Sequence, residues 1–282
     1  MTPRFIRHPG PVSADRVAAA TCRARRVELT LLPERSVNEA VADAFASLGA
    51  KSGYIRLRGA KVSPMRYVIP AATPDETHAA WYSETFAPDG VTVIEDAGLI
   101  VGSRDGEPFL HCHGLWRTPD GALRMGHLLP LDSEFAEPVE AEAWALDGAL
   151  FEVRDDAETN FRLFRAVEGG MRPSDGGRKT VACTVKPNQD IGHAIEGVCR
   201  AHGIESADIH GIGSLVEADF EDGSRLASYA TEVLVKSGRY EAGGASLDIA
   251  LVGLDGSIAE GRLTRGVNPV CVTFELLIVA DE

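Results

Sequence analysis

The feature that most constrains this chain is an internal repeat. Residues 27–62 align without a gap on residues 181–216, placing Pro33 on Pro187, Gly49 on Gly203 and Gly59 on Gly213, each pair 154 apart. Thr30, Ala40, Ser52 and Ile55 match Thr184, Ala194, Ser206 and Ile209 at the same offset. Proline and glycine fix backbone conformations that other residues avoid, so their paired recurrence marks the same structural boundaries twice. The later parts match more loosely at an offset of 135, with Asp120-Gly121 on Asp255-Gly256 and Gly126 and Leu128 on Gly261 and Leu263. Glu142 pairs with Glu275 after a two-residue adjustment. The second copy is therefore the shorter one, and the first copy's extra length falls mainly between residues 63 and 91.

Each repeat begins with a strand (residues 27–32 and 181–186) that ends at its proline. A capping residue follows, Ser36 in one copy and Asp190 in the other. Apolar residues then recur at helical spacing: Val37, Ala40, Val41, Ala44, Phe45 and Leu48, against Ile191, Ala194, Ile195, Val198 and Cys199. Gly49 and Gly203 stop the two helices. The Asp-Gly pairs between alternating apolar runs predict hairpins. The expected class is α+β: two tandem domains, each a mostly antiparallel sheet or barrel with one main helix. Domain one is expected at 24–167 and domain two at 178–282, after an arm at 1–23. Residues 168–177, rich in Gly, Pro and polar groups, read as the linker.

The 282 residues suffice for two domains of ordinary size. Lys plus Arg total 28 and Asp plus Glu total 42, a formal charge of −14. That sign argues against nucleic acid as a partner, because phosphate must be neutralised by a basic surface. The one dense basic run, Arg23, Arg25 and Arg26, sits beside an expected strand and reads as its solvated end. No stretch approaches the roughly 18 apolar residues of a membrane helix, and the first ten residues lack the apolar core of a signal peptide. Five cysteines, an odd number with no C-x-x-C, do not make a disulfide framework, so a cytoplasmic location is expected.

The segment Phe109-Leu110-His111-Cys112-His113-Gly114 reads as a strand, so His111 and His113 project from one face and Cys112 from the other. The Asp120-Gly121 turn returns the chain, and His127 on the second strand can lie beside them. Three imidazoles on one sheet face suit Zn²⁺, with Mn²⁺, Fe²⁺, Co²⁺ or Ni²⁺ also acceptable, and leave a position for water or substrate. The competing reading makes them ordinary surface or hydrogen-bonding residues. In the second copy Ser246, Asp248 and Arg262 stand at the three places, which suggests one active copy and one scaffold copy.

The strings Gly106-Glu107-Pro108-Phe109-Leu110-His111-Cys112-His113, Asp120-Gly121 and Gly126-His127-Leu128-Leu129, followed by Glu142, resemble the "plants and prokaryotes conserved" (PPC) domain. That family shows D-G-x-P-x-x-H-x-H, a D-G turn, G-G-H-L and a late T-x-E strand. The block ending His210-Gly211-Ile212-Gly213-Ser214-Leu215 is similar to the family's G-x-G-S region. Met125 replaces the first glycine of G-G-H, and the insertion around residues 73–81 departs from the pattern. The resemblance implies an antiparallel sheet with one packed helix, homo-oligomers (usually trimers), and kinship with acetolactate decarboxylase, whose metal sits on three histidines. The family's DNA-binding label rests in plants on AT-hooks, which this chain lacks.

The function expected is a metal-dependent lyase, decarboxylase-like, or hydrolase acting on a small carboxylate or keto acid. Glu142 is the candidate acid/base or partner of a histidine, and Arg56 and Arg58 the candidate carboxylate clamp. The plainer readings are a solvated strand face for the arginines and an exposed strand residue for Glu142. His210 falls on Arg56 in the repeat, which suggests a position facing a pocket. The alternatives are a DNA-binding regulator and a non-catalytic sensor.

Overall fold

The computed structural model describes residues 4–170 and 176–281. The first half runs β1 (Val17–Leu31), α1 (Val37–Ser47), β2 (Gly53–Leu57), β3 (Ala60–Val62), β4 (Tyr67–Val68), β5 (Pro70–Ala71) and β6 (Trp81–Tyr82). It continues through β7 (Thr92–Arg104), β8 (Glu107–Arg117), β9 (Leu123–Leu128), β10 (Val139–Asp147), β11 (Ala149–Asp155) and β12 (Arg162–Glu168). The second half comprises β13 (Arg178–Val185), α2 (Ile191–Ala201), β14 (Ala207–Leu215), β15 (Ala218–Asp219), β16 (Arg225–Leu226), β17 (Glu232–Glu241), β18 (Gly244–Val252), β19 (Ile258–Arg262) and β20 (Val270–Ala280). The class is α+β, a mostly antiparallel sheet with one helix in each half of the described chain.

Both helices start as their sequences dictate. Ser36 accepts from the Glu39 backbone N–H while the Glu39 carboxylate accepts from the Ser36 N–H, a reciprocal capping box. Asp190 accepts from the His193 N–H at 2.9 Å. Gly49 (φ 68°) and Gly203 (φ 59°) then take the left-handed conformation that ends each helix.

One sheet runs through both halves. From the centre outward the strands follow β13-β20-β14-β17-β18-β19 on one side and β1-β10-β2-β7-β8-β9 on the other, the same order twice. β1 joins them: its residues 17–24 pair with β13 and its residues 23–31 with β10. β1 thus begins inside the residues expected to form an arm. The run Val17-Ala18-Ala19-Ala20 is alanine-rich, and alanine carries little strand propensity, so tertiary pairing decides the matter. Arg23, Arg25 and Arg26 lie within this strand rather than beyond its end. The expected linker falls partly outside the described residues, at 171–175.

Strand register corrects one equivalence. Thr30 pairs with Glu140, and its repeat partner Thr184 pairs with Glu275. Glu275 therefore corresponds to Glu140, at the offset of 135 that the neighbouring hairpins show, and not to Glu142.

Alternation along the strands sorts the side chains into layers. Leu110, Cys112, Trp116 and Leu128 pack with α1 in the core of the first half, and Phe274, Leu276 and Ile278 pack with α2 in the core of the second. The opposite faces meet in a third core shared by the halves, where Tyr54, Ile100, Leu115 and Trp144 pack with Ile212, Leu234, Leu277 and Val279. All five cysteines are free and buried. No described helix is long and apolar enough to cross a membrane.

Candidate metal centre

His111 and His113 alternate with Leu110 and Cys112 on β8, so burying the latter pair under α1 turns both imidazoles toward the second half of the chain. β9 returns antiparallel with His127 directly opposite His113. The three residues offer ligand nitrogens that all lie within 4.8 Å of one another. Their ring centroids stand 4.5 Å (His111–His113), 4.8 Å (His111–His127) and 5.3 Å (His113–His127) apart.

The second half completes this cluster. Glu275 on β20 places Oε2 2.8 Å from His111 Nδ1. The Val233 carbonyl on β17 lies 3.0 Å from His113 Nδ1, and Glu232 Oε2 lies 2.9 Å from His113 Nε2. His113, Glu232 and Glu275 are only 1%, 8% and 1% exposed. The second half carries Ser246, Asp248 and Arg262 at the aligned places, yet it is no mere scaffold, because it supplies two carboxyl groups and a carbonyl to the histidines. Sequence reasoning missed both glutamates. Glu275 had a signal: Thr273-Phe274-Glu275 spells T-x-E literally within an otherwise apolar strand.

Burial sets the protonation of these groups. It pulls His111 down to about 3, with His113 adding to the shift, and takes His127 well below the ordinary histidine range. Burial also opposes charge on His113, but the Glu232 carboxylate beside it wins and raises its pKa. Burial pushes Glu275 up to about 8. Glu232 is pushed upward by burial but ends below its usual value because His113 stands beside it. Two of the three imidazoles are thus held neutral at neutral pH, the form that ligates metal.

The donor set fits a divalent cation. The Glu275 and Val233 oxygens accept from Nδ1–H of His111 and His113, which leaves each Nε2 with its lone pair. Those two Nε2 atoms lie 2.9 Å apart. His127 Nδ1 and Glu275 Oε1 are buried without a hydrogen-bond partner. A metal ion on the histidines would favour the ionised form of Glu275 and would offset the charge of Glu232.

Trp81 and Tyr82 of β6, with Phe161 before β12, cover one side of the histidines. The Tyr82 ring stands edge-on to His127 with centroids 5.5 Å apart, and Trp81 stacks on Phe161 at 5.6 Å. A cavity of about 50 Å³ beside His111 and His113 is lined by these three aromatics, by Glu232, Cys271 and Leu163, and by the hydroxyl residues Ser214, Thr231 and Thr273. No Lys or Arg is among the described residues lining it.

Arg56, Arg58 and Glu142 were expected at the histidines and lie elsewhere. Glu142, Arg56, Gly98, His113 and His127 do form one rung across four neighbouring strand pairs. Gly98 is the break in that rung: a Cβ there would meet the Tyr54 hydroxyl at 2.5 Å and Leu234 Cδ1 at 3.0 Å, so those side chains fill the gap between Arg56 and His113. Arg56 pairs with Asp96 and donates to the Val235 carbonyl at 2.7 Å, Arg58 reaches Asp96 at 3.3 Å, and Glu142 pairs with Arg26. Together with Tyr54, Glu140, Trp144, His210 and Lys236 they line a separate cavity of about 220 Å³. Arg56 and its repeat counterpart His210 do face one pocket, and burial lowers His210 to about 4. Gly98→Ala is expected to cost about 1 kcal/mol by overpacking this wall, read as a lower urea midpoint.

Residues 172–280 match the Plants and Prokaryotes Conserved (PCC) domain. Among solved structures, 56% of this chain covers 99% of a plant- and prokaryote-conserved (PPC) protein from Pyrococcus horikoshii at 16% identity and a TM-score of 0.42. A metal-containing protein from Archaeoglobus fulgidus aligns with 50% of this chain over 94% of its own, at 21% identity and a TM-score of 0.40. A provisionally named DNA-binding protein from Ralstonia eutropha aligns with 50% of this chain over 94% of its own, at 12% identity and a TM-score of 0.35. No curated protein matches the sequence.

Proposed function

We propose that this chain arose by duplication of a PPC-like domain, holds one divalent ion on His111, His113 and His127, and is a metal-dependent lyase or hydrolase. The observation that carries this is the convergence of three imidazoles, His113 buried and His111 and His127 half-buried, with Nδ1 of His111 and His113 against oxygen atoms and their Nε2 atoms turned toward one another. Zn²⁺, Mn²⁺, Fe²⁺, Co²⁺ and Ni²⁺ all suit nitrogen donors.

A bound ion would act as a Lewis acid toward a carbonyl oxygen or water. The protein's own groups do the rest. Ionised Glu275 and the Val233 carbonyl hold two rings in the ligating tautomer, and Glu275 is the carboxyl group placed to take or give a proton beside the ion. Trp81, Tyr82 and Phe161 line one side of the cavity of about 50 Å³ beside the histidines. With Arg56 and Arg58 at a separate cavity, a carboxylate clamp is not part of this reading. The substrate class it favours is a small oxygen-bearing molecule such as an oxo compound or ester.

A nucleic-acid role gains no support from the surface. The formal charge is −14, and within the basic run Arg26 is paired to Glu142 while Arg23 donates to the Gly177 carbonyl. The enzyme reading is tested by turnover. Activity found on a panel of small oxo acids, oxo alcohols and esters should vanish on chelation and return with added divalent metal. Turnover that survives complete chelation would overturn it.

A further inference from the structure

We propose that Glu232, from the second half of the chain, is a fourth protein ligand to the ion held by His111, His113 and His127. The inference rests on the metal-centre reading above and deepens it. A backbone carbonyl only accepts, so the 3.0 Å contact with Val233 O fixes a hydrogen on His113 Nδ1 and leaves the Nε2 lone pair directed away from it. Ionised Glu275, the form that a cation on the histidines favours, accepts likewise from His111 Nδ1, 2.8 Å from its Oε2. What remains is a meeting of acceptors: His111 Nε2 stands 2.9 Å from His113 Nε2, which stands 2.9 Å from Glu232 Oε2. In the metal-free chain a proton on His113 Nε2 holds Glu232 as an ion pair and leaves the His111 Nε2 lone pair facing it. A proton bridges one pair at a time, whereas a divalent ion satisfies all three.

The fold does not require a carboxylate at this place. Glu232 pairs with Val252 and Val233 with Leu251 on the neighbouring strand, and in the first half Val93 pairs with Arg117 and Ile94 with Trp116. With Trp116 and Leu251 equivalent at the offset of 135, the counterpart of Glu232 is Val93. A valine serves the same strand position where no histidines face it. Glu232 is 8% exposed, and Leu234, two residues along on the same face, sits in the core between the halves and holds the strand in place.

Three nitrogens and one carboxylate oxygen would close a four-coordinate zinc site. A six-coordinate ion such as Mn²⁺, Fe²⁺, Co²⁺ or Ni²⁺ would keep two positions for substrate on the same donors.

The test is a Co²⁺ titration of the chelator-stripped protein, following the visible d–d absorption, for the parent chain, Glu232→Gln and Glu232→Asp. The parent is expected to bind one Co²⁺. Glu232→Gln is expected to bind at least about 10-fold more weakly, with a changed band position and intensity, and Glu232→Asp to fall between them. An unchanged dissociation constant and an unchanged spectrum in Glu232→Gln overturn the fourth ligand while leaving the three-histidine centre standing. Failure of the parent chain to bind Co²⁺ removes the centre itself. Should Glu232→Gln not fold, Glu232→Asp decides alone: an altered spectrum supports ligation and an unaltered one refutes it.

Discussion

Metal-free His113→Ala protein is expected to be about 3–5 kcal/mol less stable than the metal-free parent, measured by urea unfolding at neutral pH. His113 and Glu232 form an ion pair 2.9 Å apart with almost no water around it. Removing His113 leaves a buried carboxylate without the cation beside it. A double variant carrying His113→Ala with Glu232→Gln should recover much of the loss, because no charge is then stranded. The pH dependence has a definite sign. Without His113 the largest influence opposing burial is gone and the folded-state pKa of Glu232 moves upward, so the penalty grows as pH rises through the carboxylate range and shrinks on acidification. A single variant as stable as the parent at pH 7 would show that the pair is not the buried interaction described.

Glu275→Leu is expected to separate metal affinity from stability. The carboxylate accepts from His111 Nδ1, and loss of such an orienting partner costs about 10- to 100-fold in metal affinity. The fold should tolerate the change, since Glu275 lies between apolar strand neighbours and burial already pushes it up to about 8. Isothermal titration with Zn²⁺ on stripped protein, alongside urea midpoints, reads both quantities. A variant with unchanged affinity would deny Glu275 its orienting part.

Much of this was readable from residue order. At an offset of 154 the two prolines follow the ends of the strands and the two glycines end the helices, and the capping residues Ser36 and Asp190 act as such. Alternation along Phe109–Gly114 put Cys112 in the core and both histidines on the opposite face, and the Asp120-Gly121 turn brought His127 to His113. What one strand pattern cannot reveal is the partner of its inner face. The histidine face packs against β17 and β20, more than a hundred residues away, so Glu232 and Glu275 enter through tertiary topology. Arg56 and Glu142 share the histidines' rung and face, as alternation implies, but the missing side chain at Gly98 lets Leu234 and Tyr54 separate them. The start of β1 at Val17 was hidden for a different reason: its alanines carry no strand signature, and only pairing with β13 makes them a strand.

The account turns on a single ion seated among three imidazoles, and metal stoichiometry tests that most directly. Protein purified without an immobilised-metal column should carry about one divalent ion per chain by elemental analysis. The His111→Ala, His127→Ala double variant should carry none under the same purification. A parent chain that stays metal-free even after dialysis against the candidate ions, or a double variant with undiminished metal, would contradict the account.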